Sequence, residues 1–226
     1  MSLKSRLILP LLSCLLVCFL SGVASPDDQT SEIMNGIRDR YGNAGGLAAD
    51  YTREAISKTM ALLETAQRHD VATGRLYFKP PHCLRLEQTS PREELLLTDG
   101  QTLWWYIPFK AEAYRYPAKR FGRELSLLSD VLKGLKDSED KFRITSREDP
   151  EALAHHLFLN PEPPWQDIDH LEVRASKRDF AINQVDIYNT IGGLTRFVLD
   201  GWQENNQFEA DFFSFSPPPH IRIIEQ

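Results

Sequence analysis

Leu95-Leu96-Leu97-Thr98-Asp99-Gly100-Gln101-Thr102-Leu103-Trp104-Trp105-Tyr106-Ile107-Pro108 is the stretch that decides the fold. Two short apolar runs flank an Asp-Gly pair. That pair lets a chain reverse tightly between two antiparallel strands, because both residues tolerate a positive φ. Pro108 ends the second run by removing an amide donor. Trp104 and Tyr106 share one face of the returning strand and Trp105 takes the other, so both faces need cover. One face belongs to the core. The pattern leaves open whether the other packs under a helix or lines a ligand cavity.

The same punctuation recurs on both sides. Leu76-Tyr77-Phe78 stops at Pro80-Pro81, Cys83-Leu84-Arg85-Leu86-Glu87 stops near Ser90-Pro91, and Ala113-Tyr114-Arg115-Tyr116 stops at Pro117. Short strands at this spacing predict an antiparallel sheet or barrel. Further strands are predicted at Phe142–Ile144, His156–Leu159, Leu171–Arg174, Ile182–Tyr188, Leu194–Leu199 and Phe208–Phe213. Turns are expected at 176–179, Gly192-Gly193 and Asn205-Asn206, and a last short segment runs from Ile221 to Ile224. Upstream, Leu47, Ala49, Tyr51 and Arg53 alternate onto one face of a strand. The chain from there to about Asp70 reads as a strand end, a loop and a returning strand. Leu84 and Leu86 share a face, as do Leu95 and Leu97, and Phe197 and Leu199.

Two stretches change period. Ile33, Ile37 and Tyr41 recur every four residues within 28–41, with Met34 beside them. Leu125, Leu128, Leu132 and Leu135 recur every three or four between Glu124 and Lys136. Both predict amphipathic helices. The fold class is therefore α+β and mostly β. A sheet this long curls because strands twist, giving an unclosed antiparallel half-barrel with the helices on its concave side.

Residues 1–24 read as a signal peptide: Lys4 and Arg6, an apolar run Leu7–Leu20, then Ser21-Gly22-Val23-Ala24. The run is shorter than the roughly 20 residues of a membrane span. Cleavage after Ala24 leaves 25–226 as a single exported domain. Cys14 and Cys18 leave with the leader, so Cys83 has no partner for a disulfide and reads as a small buried apolar residue. The net charge is −6, more negative still once Lys4 and Arg6 are lost. This argues against nucleic acid, whose phosphates need clustered Lys and Arg.

Reactive motifs are missing. The six histidines show no metal-ligand spacing, and adjacent His155 and His156 point to opposite faces of a strand. No nucleophile elbow, phosphate loop or dinucleotide fingerprint occurs. The expectation is a binding protein and not an enzyme, with no catalytic residues, no metal and no cofactor. A hydrolase would need an activated nucleophile that the sequence does not supply.

One block resembles a known family. Gly74-Arg75-Leu76-Tyr77-Phe78-Lys79-Pro80-Pro81, then Cys83-Leu84-Arg85-Leu86, then Asp99-Gly100-Gln101-Thr102-Leu103-Trp104-Trp105-Tyr106-Ile107-Pro108-Phe109 is similar to the periplasmic outer-membrane lipoprotein carriers, the LolA family. Phe213-Ser214-Phe215-Ser216-Pro217-Pro218 looks like the family's Phe-x-Phe-x-Pro-Pro ending, and Tyr51-Thr52-Arg53 stands where members carry an aromatic-Thr-Gln. The resemblance implies an unclosed barrel that holds lipoprotein acyl chains, with no enzyme activity. It implies a monomer that receives cargo from an inner-membrane lipoprotein-releasing ABC transporter and passes it to a LolB-like outer-membrane acceptor where one exists. On this reading Tyr51, Phe78, Leu84, Leu86, Trp105, Leu128 and Leu132 form the cavity wall and lid. A lipid- or lipoprotein-binding sensor in envelope stress regulation is the alternative with the same fold. Two departures stand out: Pro80 replaces the arginine that latches the lid in family members, and Pro219-His220 replaces the glycine after the final Pro-Pro.

Overall fold

A computed structural model describes residues 26–57, 70–117, 123–136, 138–147, 152–204 and 207–226. The expected leader at 1–24, the loop between about 57 and 70, and the Asn205-Asn206 turn lie outside them.

The chain opens with α1 (Pro26–Tyr41), then β1 (Leu47–Ile56), β2 (Asp70–Lys79), β3 (Cys83–Ser90), β4 (Glu94–Thr98), β5 (Thr102–Ile107) and β6 (Glu112–Pro117). Next come α2 (Arg123–Leu132), β7 (Phe142–Arg147), β8 (Ala154–Pro161), β9 (Ile168–Ser176), β10 (Ile182–Asn189), β11 (Leu194–Glu204) and β12 (Arg222–Glu225). These twelve strands join one sheet in the order β12-β6-β5-β4-β3-β2-β1-β11-β10-β9-β8-β7. Two meanders, β1–β6 and β7–β11, are thus stitched where β1 pairs antiparallel with β11. At the far edge β12 runs parallel to its neighbour, β6. Among the described residues the two edges of the sheet, β12 and β7, do not pair with each other, so the barrel is unclosed.

Topology explains where the second helix must go. α2 links β6, near one edge, to β7, the other edge, so its path crosses the gap. Leu127, Leu128, Val131 and Leu132 are buried in the core there. α1 packs beside it against β7, burying Ile33, Met34, Ile37 and Tyr41. The Tyr41 hydroxyl accepts the Ile182 amide at 2.8 Å, and Trp202 donates to the Ile182 carbonyl at 2.7 Å while packing edge-on against Tyr41. This clasp ties α1 to β10 and β11.

α2 ends earlier than its apolar period predicts, at Leu132 rather than near Lys136. Gly134 adopts φ 78°, its amide bonds the Val131 carbonyl, and the Leu135 amide bonds Asp130. That is a left-handed helix stop, and it tucks Leu135 into the core. Gly134 also lies against α1, where a Cβ would meet the Arg38 Cα at 3.1 Å. Asp130 is buried between Lys133 at 2.6 Å and Lys141 at 3.0 Å, which anchors this end of α2.

One predicted strand is corrected. Phe208–Phe213 is not in the sheet. Residues from Glu209 to Ser214 form turns closed by Phe212→Glu209 and Ser214→Asp211 bonds. A strand would send Phe212 and Phe213 to opposite faces. In the turn both pack on Phe208, each at 5.0–5.1 Å from its aromatic neighbours. This segment covers the outer face of the sheet: Phe212 meets Tyr77, and Phe215 meets Trp104 and Tyr106. His155 and His156 do diverge as expected, the first stacked on Phe180 and the second paired with Glu172 at 2.9 Å. Cys83 is half-buried rather than buried.

Gly74 is required by a close approach. The β2–β3 register shifts between Thr73 and Gly74, and a Cβ on Gly74 would stand 2.0 Å from the Glu87 carbonyl oxygen. Backbone would have to yield, so Gly74→Ala is expected to cost about 1–3 kcal/mol, read as a lowered midpoint in thermal unfolding. An unchanged midpoint would mean that β3 shifts freely at this point.

Candidate functional site

Hairpin register builds the site. Across the concave face, Ala49 stands opposite Leu76, Leu76 opposite Leu86, Leu86 opposite Leu96, Leu96 opposite Trp105 and Trp105 opposite Tyr114. One row nearer the strand ends that carry Pro91, Tyr51 stands opposite Gly74, Gly74 opposite Gln88 and Gln88 opposite Glu94. Between these rows lies a cavity of about 390 Å³. Its apolar lining is Tyr51, Leu86, Leu96, Trp105, Leu125, Phe197 and Pro91; its polar lining is Arg53, Asp70, Gln88, Glu94 and Glu124. The first turn of α2, carrying Glu124 and Leu125, covers one side.

The seven residues named from sequence divide. Tyr51, Leu86 and Trp105 line the cavity together. Phe78, Leu84, Leu128 and Leu132 are each 0% exposed and sit in the packed core beside it. The tryptophan pair is also resolved in space: Trp105 faces inward, while Trp104 and Tyr106 lie outside under Phe215. Leu95 and Leu97 follow them to the outer face, paired with Tyr106 and Trp104. Leu96, between them, lines the cavity but was not singled out in sequence, as a triple leucine does not show which member faces in. Phe197 carried a visible signal, since it shares a face with Leu199. Glu94 and Glu124 carried none.

Polar groups in the cavity are held in specific ways. Trp105 Nε1 donates to Glu94 Oε2 at 2.8 Å, Thr195 Oγ1 donates to Glu124 Oε1 at 3.2 Å, and Arg53 pairs with Asp70 at 3.5 Å. Burial pushes the Tyr51 hydroxyl up to about 12, with Arg53 acting against the shift and Glu94 reinforcing it. The site thus has an apolar floor and an acidic rim. Among the described residues no group of three or more His, Cys, Asp or Glu is arranged to hold a metal ion.

Fold and cavity define a class: an unclosed antiparallel half-barrel whose concave side is roofed by helices above an apolar cavity. Comparison with known proteins narrows it. The family model of the outer membrane lipoprotein carrier protein LolA matches residues 59–216, and the chain belongs to that family. The outer-membrane lipoprotein carrier protein of Yersinia pestis bv. Antiqua (strain Angola) is 24% identical over 219 residues, covering 92% of this chain and 96% of the relative. That of Chromobacterium violaceum is 24% identical over 196 residues, covering 80% and 92%. Among solved structures, an uncharacterized conserved protein from Thermus thermophilus shares the fold with a TM-score of 0.53 at 12% identity, over 88% of this chain and 99% of that one. A DUF1329 family protein from Desulfovibrio piger gives 0.51 at 9% identity, over 84% and 98%.

Proposed function

We propose that this protein is a periplasmic chaperone that takes the acyl chains of lipoproteins released from the inner membrane and carries them to the outer membrane. The observation that carries this reading is the apolar floor formed by Leu86, Leu96, Trp105, Tyr51 and Phe197 under α2. Membership of the carrier family supports it. The volume falls within the ~300–1,000 Å³ typical of ligand sites. An acyl chain in water costs about 0.8 kcal/mol per CH₂, so a multi-chain lipid needs shelter between membranes. Binding must also be weak enough to reverse, so an acceptor with a better site draws the cargo onward. In this reading 25–226 is the exported unit, an ABC transporter loads it and a LolB-like lipoprotein unloads it.

The test is native mass spectrometry of the mature protein purified from periplasm beside a co-expressed lipoprotein. A 1:1 complex that disappears when the cargo lacks its acyl chains is the expected result. Protein recovered free, or holding only loose phospholipid, overturns carriage.

A further inference from the structure

The cavity is not neutral. Among the described residues three carboxylates line it, Asp70, Glu94 and Glu124, against one cation, Arg53. Arg53 pairs with Asp70. Glu94 and Glu124 instead accept from neutral donors, the Trp105 indole N–H and the Thr195 hydroxyl. Among the described residues each of those bonds engages one carboxylate oxygen and leaves the other to accept. Both groups are half-buried, where charges are screened less than on an open surface. The acidic character also reaches the floor, since Glu94 helps to keep the Tyr51 hydroxyl protonated.

We infer that Glu94 and Glu124 make the cavity selective for acyl chains borne on a peptide amino terminus, whose head offers N–H donors and no phosphate, over the chains of anionic phospholipids. This rests on the acyl-binding reading above and names the ligand class it admits. An amide or ammonium head beside the rim can donate to the second carboxylate oxygens. A phosphodiester there meets two like charges in a partly dry site and gains no donor from either. The selection solves a problem that any periplasmic acyl carrier faces. Phospholipid is the most abundant acyl compound at a membrane, and a cavity that is only greasy would fill with it.

The experiment offers the mature protein equimolar amounts of two lipids with the same palmitoyl chains: a dipalmitoylglyceryl-cysteinyl peptide with an uncharged sequence, and dipalmitoylphosphatidylglycerol. Native mass spectrometry reads the ratio of the two complexes. Wild type is expected to favour the lipopeptide by roughly tenfold or more. The double variant Glu94→Gln, Glu124→Gln keeps both hydrogen-bond acceptors and is expected to bring the ratio toward one; circular dichroism checks that it is folded. Equal occupancy by both lipids in wild type, or the same preference in wild type and double variant, overturns the selectivity and leaves the acyl cavity standing. Failure of wild type to hold either lipid overturns the acyl-binding reading and the selectivity with it.

Discussion

Leu86→Glu is expected to abolish acyl-chain uptake by a protein that still folds, whereas Leu84→Glu, two residues away on the same strand face, is expected to unfold it. Leu84 is 0% exposed and lies opposite Phe78 and Thr98. Losing a core leucine costs about 2–5 kcal/mol, and an unpaired buried carboxylate adds several more. Total stability is of the order of 5–15 kcal/mol, so little remains. Leu86 is 6% exposed and reaches the cavity, between Leu76 and Leu96. A carboxylate there can be hydrated through the mouth, but it occupies the floor on which an acyl chain has to lie. Thermal unfolding followed by circular dichroism, with uptake of a fluorescently labelled dipalmitoylglyceryl-cysteinyl peptide, separates the two outcomes. Normal uptake by Leu86→Glu would remove the floor from the binding surface, and a wild-type melting point for Leu84→Glu would contradict its packing.

That contrast shows what a sequence can carry. Period two put Leu84 and Leu86 on one face, and the face is indeed concave. It could not say that one residue is fully enclosed in the core while the other lines the cavity. The difference depends on how far α2 reaches, and α2 is placed by the connection from β6 to β7 across the open side between the edges β12 and β7, a property of the whole sheet. The same limit applies to Leu128 and Leu132. Their spacing marks an apolar helix face, but the part of α2 over the cavity is its first turn, at Leu125. Strands were legible wherever proline or Asp-Gly cut them cleanly, as from Leu76 to Tyr116. Phe208–Phe213 was misread because clustered aromatics favour a strand locally, while three phenylalanines that must cover one outer face do not. The rim carboxylates were hidden for a different reason. The chain has 32 acidic residues, and only cross-strand pairing brings Glu94 to Trp105 and α2 brings Glu124 to Thr195.

Alkaline pH is expected to destabilise the protein by about 5 kcal/mol between about pH 10 and 12, through two tyrosines that belong to different parts of the structure. Tyr41 and Tyr51 are 1% and 4% exposed. Burial raises both hydroxyls from the ordinary 10 to about 12. For Tyr41 the amide of Ile182 and the nearby Arg40 oppose the shift without cancelling it. A group raised on folding contributes its full stability below the unfolded value and loses it as pH climbs through the folded one. Two pH units correspond to about 2.7 kcal/mol for each tyrosine, and the pair together approaches the lower end of the ~5–15 kcal/mol range of total stability. The wild-type unfolding free energy is therefore expected to be level up to about pH 10 and to fall steeply above it. Tyr51→Phe removes one titrating group, so its stability should fall less steeply over that window; an identical slope would mean that Tyr51 ionises freely in the folded state. Tyr41→Phe also loses the Ile182 bond, which makes it weaker at every pH and the less clean of the two. The Tyr51 titration extends to the site itself. An acyl chain in the cavity displaces the remaining water above the ring, which further disfavours tyrosinate. Tyrosinate absorbance should therefore appear at higher pH in the loaded protein than in the empty one, and this added shift should vanish in Tyr51→Phe. If loading leaves the titration unchanged, the chain does not lie over Tyr51, and the occupied part of the cavity is the end formed by Leu96 and Trp105.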